Sequence, residues 1–413
     1  MDNALLDIRS RTAQQQPDWD HDPRLAAVRA ELARRPALVR RRDVLRLRTA
    51  LARVARGEAH VVLAGDCSED PAECTAGDVA RKAGLLHVLA GTLMMTTHTP
   101  VLRVGRIAGQ FTKPRSRPTE HVGGVELPVY RGHMVNGPEP DAAVRAPDPT
   151  RILTGYRAAA AAMDRLGWGG TDPAGPDTPV WTSHEALLLD YEIPLLRRTE
   201  NSGSSGDDGD GGDNEGGGDE GGGDGGGLLL GSTHWPWIGE RTRDIDGAHV
   251  ALLATVVNPV ACKVGPTITP DELVALCARL DPHREPGRLT LVARMGEGTV
   301  ARVLPPLVAA VRAAGHPVIW LTDPLHGNTV ATATGLKTRY VDTVVAEIQQ
   351  FQTAVRQAGG VAGGLHLETT PDEVTECVTN ASHADHVAEK YTSFCDPRLN
   401  PAQATAVVAA WLG

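Results

Sequence analysis

Eight apolar runs of strand length recur along this chain with helical segments between them. In order they are HVVLAGDC (60–67), PVLRVGRIAGQ (100–110), PVWTSHEAL (179–187), THWPWIGER (233–241), PVACKVGP (259–266), RLTLVARMG (288–296), PVIWLTDPLHG (317–327) and GGLHLETT (363–370). Ahead of them, PRLAAVRAELARR and DVLRLRTALARVARG place apolar residues at helical spacing with Arg on the other face, which predicts a short helical N-terminal extension over residues 1–57. Eight strands alternating with helices predict a closed parallel α/β fold, a TIM (β/α)8 barrel over residues 58–413, rather than an open sheet.

One stretch breaks the pattern. SGSSGDDGDGGDNEGGGDEGGGDGGG, residues 202–227, has no apolar residue and is mostly glycine, so it cannot repay the entropy of ordering and is expected to be a disordered acidic insertion. A calcium-binding glycine-aspartate repeat is the sharper reading. The regular nonapeptide period and its apolar position are both missing, which argues against it.

That insertion also corrects the impression of an acidic protein. The formal net charge is −10, but residues 201–227 hold eight Asp or Glu and no Lys or Arg, and the rest of the chain sets 43 acids against 41 bases. No nucleic-acid surface is expected, and any phosphate binding has to come from local Arg and Lys. The amino terminus, MDNALLDIRSRTAQQQPDWD, lacks the apolar stretch of a signal peptide, and no window reaches the ~20 apolar residues of a membrane span. The expectation is a soluble cytoplasmic protein with no membrane partner. Six cysteines, Cys67, Cys74, Cys262, Cys277, Cys377 and Cys395, form no CxxC pair, so reduced thiols are expected rather than a disulfide framework or zinc ribbon.

Each strand-like run carries a polar residue of chemical interest at or near its carboxyl end: Cys67, Arg106, Glu185, Glu240 with Arg241, Lys263, Arg294, His326 and Glu368. In an eight-stranded barrel these ends form one rim, where active sites sit. Arg106, Lys113, Arg115, Arg241, Lys263 and Arg294 are cations that would be costly in a barrel mouth unless paired with anions, and Arg fits phosphate and carboxylate bidentately. More than one anionic substrate group is implied. Cys67, His326, Glu368 and Asp396 offer a thiolate, an imidazole and two carboxylates. Such a set can hold manganese, cobalt, iron or zinc on ligand type alone, although the four share no motif spacing.

Seven stretches together carry a resemblance: GRIAGQFTKPRS (105–116), SHEALLLDYE (183–192), WIGERTRDIDGAH (237–249), NPVACKVGP (258–266), RLDPHREPGRLTLVARMG (279–296), DPLHGNT (323–329) and CDPRLN (395–400). In order, and over roughly residues 55–413, the chain resembles the type II 3-deoxy-D-arabino-heptulosonate 7-phosphate (DAHP) synthases. The resemblance implies a TIM barrel that condenses phosphoenolpyruvate with erythrose 4-phosphate, the entry step of the shikimate pathway.

Residue by residue, it implies Cys67, His326, Glu368 and Asp396 as ligands of a divalent metal, manganese or cobalt. It places phosphoenolpyruvate on Arg106, Glu240, Arg241, Lys263 and Arg294, with Lys263, Arg106 and Glu240 closest to the chemistry. Erythrose 4-phosphate falls near Lys113, Arg115, Ser116 and Glu185, and Trp237 shapes the wall or simply packs. A homo-oligomer, a dimer, is also implied.

The chain departs from the longer relatives in two places. Between the helix around Tyr156–Leu166 and the strand at Pro179 it has only GWGGTDPAGPDTP, where those relatives carry an additional helical pair associated with oligomer contacts and aromatic amino-acid inhibition. The N-terminal extension is also short. Weak feedback control and service to a specialised metabolite are therefore expected. The competing readings are an amino-DAHP synthase that takes an amino or imino sugar phosphate, with Trp235 and Pro236 as the place for an altered wall, and a non-catalytic regulatory relative. A metal-dependent hydrolase would need no such set of six cations.

Overall fold

The computed structural model describes residues 2–122, 124–169, 179–199 and 227–412. The acidic insertion falls outside these residues from 202 to 226, as does most of the short connection between Leu166 and Pro179.

Eight parallel strands close into a barrel: β1 (His60–Gly65), β2 (Val101–Arg106), β3 (Val180–Glu185), β4 (Trp235–Ile238), β5 (Val260–Val264), β6 (Leu289–Ala293), β7 (Ile319–Thr322) and β8 (Val361–Glu368). Each pairs with the next in sequence, and β8 returns to β1 with Gly65 opposite Glu368. β3, β5 and β6 are buried along their whole length, as expected of parallel strands lined on one face by barrel core and on the other by helices. The β7–β8 register slips so that Trp320 faces Ala362 and Leu321 faces Gly364. A side chain at Gly364 would put its Cβ 2.0 Å from the Val61 carbonyl oxygen, and its φ of +143° suits glycine.

Ahead of the barrel lie α1 (Asp2–Ser10), α2 (Arg24–Arg34) and α3 (Arg41–Ala55). Their apolar faces, including Ile8, Leu25, Val28, Leu32, Leu47, Leu51 and Val54, join one continuous core with the barrel. α3 lies against the N-terminal ends of strands. Gly287, just before β6, abuts Arg48 and Ala52, and Gly363 in β8 abuts Val54.

The helices around the barrel are α4 (Ala76–Thr97), α5 (Arg151–Arg165), α6 (Ala248–Thr255), α7 (Pro270–Leu280), α8 (Glu297–Ala313), α9 (Val341–Gln357) and α10 (Pro401–Ala409). Two of them start on a reciprocal cap with Pro at the first position, Thr269 with Glu272 and Asn400 with Gln403. Between β3 and β4 the described residues hold a four-residue helix, Leu189–Glu192, a 3-10 turn, Ile193–Leu195, and an antiparallel pair, Leu196–Arg198 with Leu228–Leu230. α2 packs against Leu189–Leu195 and so covers the side of the barrel where a long helix would otherwise sit. Among the described residues no helix is long and apolar enough to cross a membrane.

Candidate active site

The carboxyl ends of the strands surround a cavity of about 370 Å³. Arg106, Glu185, Glu240, Arg241, Lys263, Arg294 and His326 line it from the rim, and Lys113, Arg115 and Ser116 line it from the loop after β2. Asp396 reaches it from the loop before α10. Cys67 and Glu368 lie behind that lining, both fully buried. Trp237 forms one wall, with Arg106 and Lys263 5.4 and 5.7 Å from its ring centroid, a cation–π arrangement. Trp235 and Pro236 are buried and do not line the cavity.

Buried acids hold the cations in place. Glu368, at the end of β8, has Oε1 3.2 Å from Lys113 Nζ, 3.3 Å from Arg106 Nη2 and 3.2 Å from His326 Nε2, while Oε2 accepts from Arg339 Nη1 at 2.7 Å. Burial opposes the charge on this carboxylate, but His326, Lys113, Arg339 and Arg106 together hold it well below the usual range. Asp396 behaves alike. Lys113 Nζ is 2.8 Å from its Oδ2 and Lys337 Nζ 2.8 Å from its Oδ1, and against the cost of burial these cations keep it ionised well below its ordinary value.

Asp323, at the end of β7, receives Lys263 Nζ at 2.7 Å and His326 Nδ1 at 2.6 Å on the same oxygen. The second contact orients the imidazole so that Nε2 faces Glu368, the atom a bound metal would take. Burial, helped by Arg106, pulls Lys263 below the ordinary lysine range, and Asp323 and Glu368 push back. Glu185 is shifted upward by burial, and its Oε1 has no hydrogen-bond partner among the described residues.

The acids around Cys67 are internal anchors. Asp66 pairs with Lys82 at 3.0 Å and Arg398 at 2.7 Å. Glu69 accepts the backbone N–H groups of Ala108, Gly109 and Gln110 at 3.0, 2.9 and 2.7 Å, so the strand end after β1 fixes the loop after β2. Gln110 then accepts the Glu185 backbone N–H at 3.0 Å. Cys67 itself is held down to about 6 by the neighbouring Cys395 thiol, with Lys113 helping and burial opposing.

The Class-II DAHP synthetase family model matches residues 4–175 and 169–410. The chain belongs to that family. It is 53% identical over 415 residues to a probable phospho-2-dehydro-3-deoxyheptonate aldolase of Pseudomonas fluorescens, covering all of this chain and 97% of that one. Phospho-2-dehydro-3-deoxyheptonate aldolase AroG of Mycolicibacterium smegmatis is 37% identical over 452 residues, 98% of this chain and 92% of that one. A Streptomyces coelicolor phospho-2-dehydro-3-deoxyheptonate aldolase is 37% identical over 443 residues, 96% and 93%.

Class-II DAHP synthetases are generally metal-dependent, and the donor set here fits a divalent ion. One ligand atom each from His326, Glu368 and Asp396 lies within 4.8 Å of the others, a nitrogen and two oxygens of the kind that suit manganese, cobalt or zinc. Cys67 is not part of that close group; its Sγ is 3.3 Å from Ser393 Oγ. Lys113 lines the cavity with Arg115 and Ser116, and its ammonium bridges Glu368 and Asp396.

Several residues of the site escaped sequence reasoning. Asp323 had a signal, since it stands three residues before His326 in DPLHG. Arg339 and Lys337 had none, because they follow from the course of the Val330–Thr338 hairpin. His366 lies two residues before Glu368, so it shares that residue's face of β8. It accepts from Arg106 Nη1 at 3.3 Å, and burial together with Lys263 and Arg106 keeps it neutral.

Proposed function

We propose that this protein is a DAHP synthase, joining phosphoenolpyruvate to D-erythrose 4-phosphate with release of phosphate, the first step of the shikimate pathway. The observation that carries the reading is a single cavity at the carboxyl ends of the strands in which the cations Arg106, Lys113, Arg115, Arg241, Lys263 and Arg294 converge with His326 and Asp396. Two anionic substrates fit such a set of cations. Held there, the enol carbon of phosphoenolpyruvate attacks the aldehyde carbon, the aldehyde oxygen takes a proton, water adds to the second carbon and phosphate leaves.

The protein's own contribution is positioning. Arg106, Arg241, Lys263 and Arg294 neutralise phosphate and carboxylate and aim the enol, with Glu240 fixed between the Gly265 N–H at 2.6 Å and Arg243 at 2.9 Å. Arg115, Ser116, Lys113 and Glu185 take the sugar phosphate. Bringing two mutually repelling anions into attack distance supplies much of the rate. His326, Glu368 and Asp396, with Cys67 as a fourth, would hold manganese or cobalt, and the bound ion would supply Lewis acidity toward the aldehyde oxygen. A homodimer in the cytoplasm completes the proposal.

Purified protein supplied with manganese or cobalt and both substrates should consume the enol, read as loss of its ultraviolet absorbance, and release phosphate in equal amount. Turnover with an amino sugar phosphate but not with erythrose 4-phosphate would overturn the sugar assignment. No turnover with either would overturn the enzymatic reading.

A further inference from the structure

The loop proposed to take erythrose 4-phosphate is held from outside the barrel, by a residue between α1 and α2. Gln15 has φ +61°, a left-handed conformation that a residue with a side chain rarely adopts. Its neighbours keep it there. Gln16 donates to the Leu187 carbonyl at 2.8 Å and accepts the Leu189 N–H at 3.0 Å, and Trp19 is buried with its indole N–H on Asp190 at 2.8 Å.

From this turn Gln15 makes two contacts into the site. Its Oε1 accepts the backbone N–H of Arg115 at 2.9 Å, and its carbonyl oxygen accepts from Arg131 Nη2 at 2.8 Å. Arg131 in turn offers its own carbonyl to the Lys113 N–H at 2.9 Å. Pro114 has no N–H to give. Both backbone donors of Lys113-Pro114-Arg115 are therefore tied either to Gln15 or to the residue that Gln15 holds. A backbone strained at one position and over-determined by its surroundings is a mark of functional positioning.

We infer that Gln15 is a positioning residue for the sugar phosphate: by holding the Arg115 amide it sets where the Arg115 guanidinium and Ser116 hydroxyl meet that phosphate, which makes the N-terminal segment part of the active site. The inference rests on the reading of Lys113–Ser116 as the erythrose 4-phosphate loop. Gln15 touches no reacting atom, so its loss should appear in the affinity for one substrate.

The test is steady-state kinetics on manganese-loaded full-length Gln15→Asn, Gln15→Glu and Arg115→Ala proteins, with thermal melting and metal content measured alongside. Asparagine accepts a left-handed backbone readily but is one methylene too short to reach the amide; glutamate keeps the acceptor. Gln15→Asn should raise KM for erythrose 4-phosphate about threefold to tenfold, the loss of one hydrogen bond, with kcat and KM for phosphoenolpyruvate within about twofold of wild type. Melting and metal content should not change, and Gln15→Glu should restore KM. An unchanged KM in Gln15→Asn while Arg115→Ala raises it would overturn the role of Gln15 alone. Equal impairment in Gln15→Glu and Gln15→Asn would overturn the acceptor role. If Arg115→Ala leaves KM for erythrose 4-phosphate unchanged, the reading of the loop falls, and the role of Gln15 falls with it.

Discussion

Replacing Asp323 by Asn should cripple the site while changing a single atom. The wild-type carboxylate receives Lys263 and His326 on Oδ2 and the Leu325 and His326 backbone N–H groups on Oδ1, each of the latter at 3.3 Å. Whichever way the amide is turned, an NH2 group then faces donors. If it faces Lys263, two sets of hydrogens meet with no acceptor between them. If His326 adapts by accepting on Nδ1, the proton has to sit on Nε2, the atom turned toward Glu368, and that nitrogen can no longer serve a metal.

Hydrogen bonds to charged groups are worth about 1.5–3 kcal/mol each, and breaking one side of a buried pair costs about 3–5 kcal/mol. The two contacts share a site, so the lower range applies to the pair, and the loss in kcat/KM should be about 10- to 150-fold. The pH profile is the sharper test. Lys263 is already pulled down by burial, and Asp323 is the first of the groups that push it back up. Its positive charge is present below its own pKa and is lost as pH rises through it, so removing Asp323 should move the alkaline limb of kcat/KM for phosphoenolpyruvate to lower pH. Metal content should fall as well. A well-folded Asp323→Asn protein with kcat/KM within about threefold of wild type and an unmoved alkaline limb would refute the argument.

Cys67→Ser should lose metal and nearly all activity, because the thiol held down to about 6 is available as thiolate, whereas Cys74→Ser should be neutral, since burial pushes that thiol up to about 12; metal analysis of the two proteins decides. Burial holds His234 down to about 3 and His60 down to about 4. Both are neutral in the fold and protonate near 6.5 when unfolded, so stability should fall as pH drops below that value; the urea midpoint should be lower at about pH 5 than at about pH 7.5, with a shallower difference in His234→Asn. Lys263→Ala and Arg294→Ala should both raise KM for phosphoenolpyruvate with metal retained, but only Lys263→Ala should lower the melting temperature. An equal drop in both would show that Arg294 is structural.

The barrel was legible because its eight apolar runs are short, buried on both faces and spaced by helices, a pattern that few other folds produce. Part of the ring was legible too, since polar residues at or near the end of a buried run stand where the chain reaches the rim, as Arg106, Glu185, Lys263 and His326 do. Two kinds of information were not legible. The first is what a hairpin does after leaving the rim: Lys337 and Arg339 return to Asp396 and Glu368 from the Val330–Thr338 hairpin, a path set by tertiary packing. The second is which side of a loop a side chain takes. Lys113 stands beside Arg115 and Ser116 in sequence, yet its ammonium meets Glu368 and Asp396, two buried carboxylates that attract it. Gln15 gave no signal at all, as a polar residue in a QQQ run between helices.

The charges of the site fall into two classes that the sequence cannot separate. Arg106, Lys113, Arg115 and Lys263 each have a carboxylate partner, Glu368, Asp396, Glu120 or Asp323. Among the described residues Arg241 and Arg294 have none; Arg241 donates to Ser116 Oγ at 2.7 Å and Arg294 to the His326 carbonyl at 3.3 Å. A buried cation without a counter-charge is costly, which explains why the deeper members are paired and why the acids beside Cys67 turn inward to Lys82, Arg398 and backbone amides. The unpaired arginines sit at the more exposed edge of the cavity, where water shields them until an anion arrives. The division has a chemical consequence. Under the proposed reading, the paired cations would be fixed in direction before substrate binds and cost little to reorganise, while the unpaired ones would provide the net attraction, so geometry and affinity would be supplied by different residues of one ring.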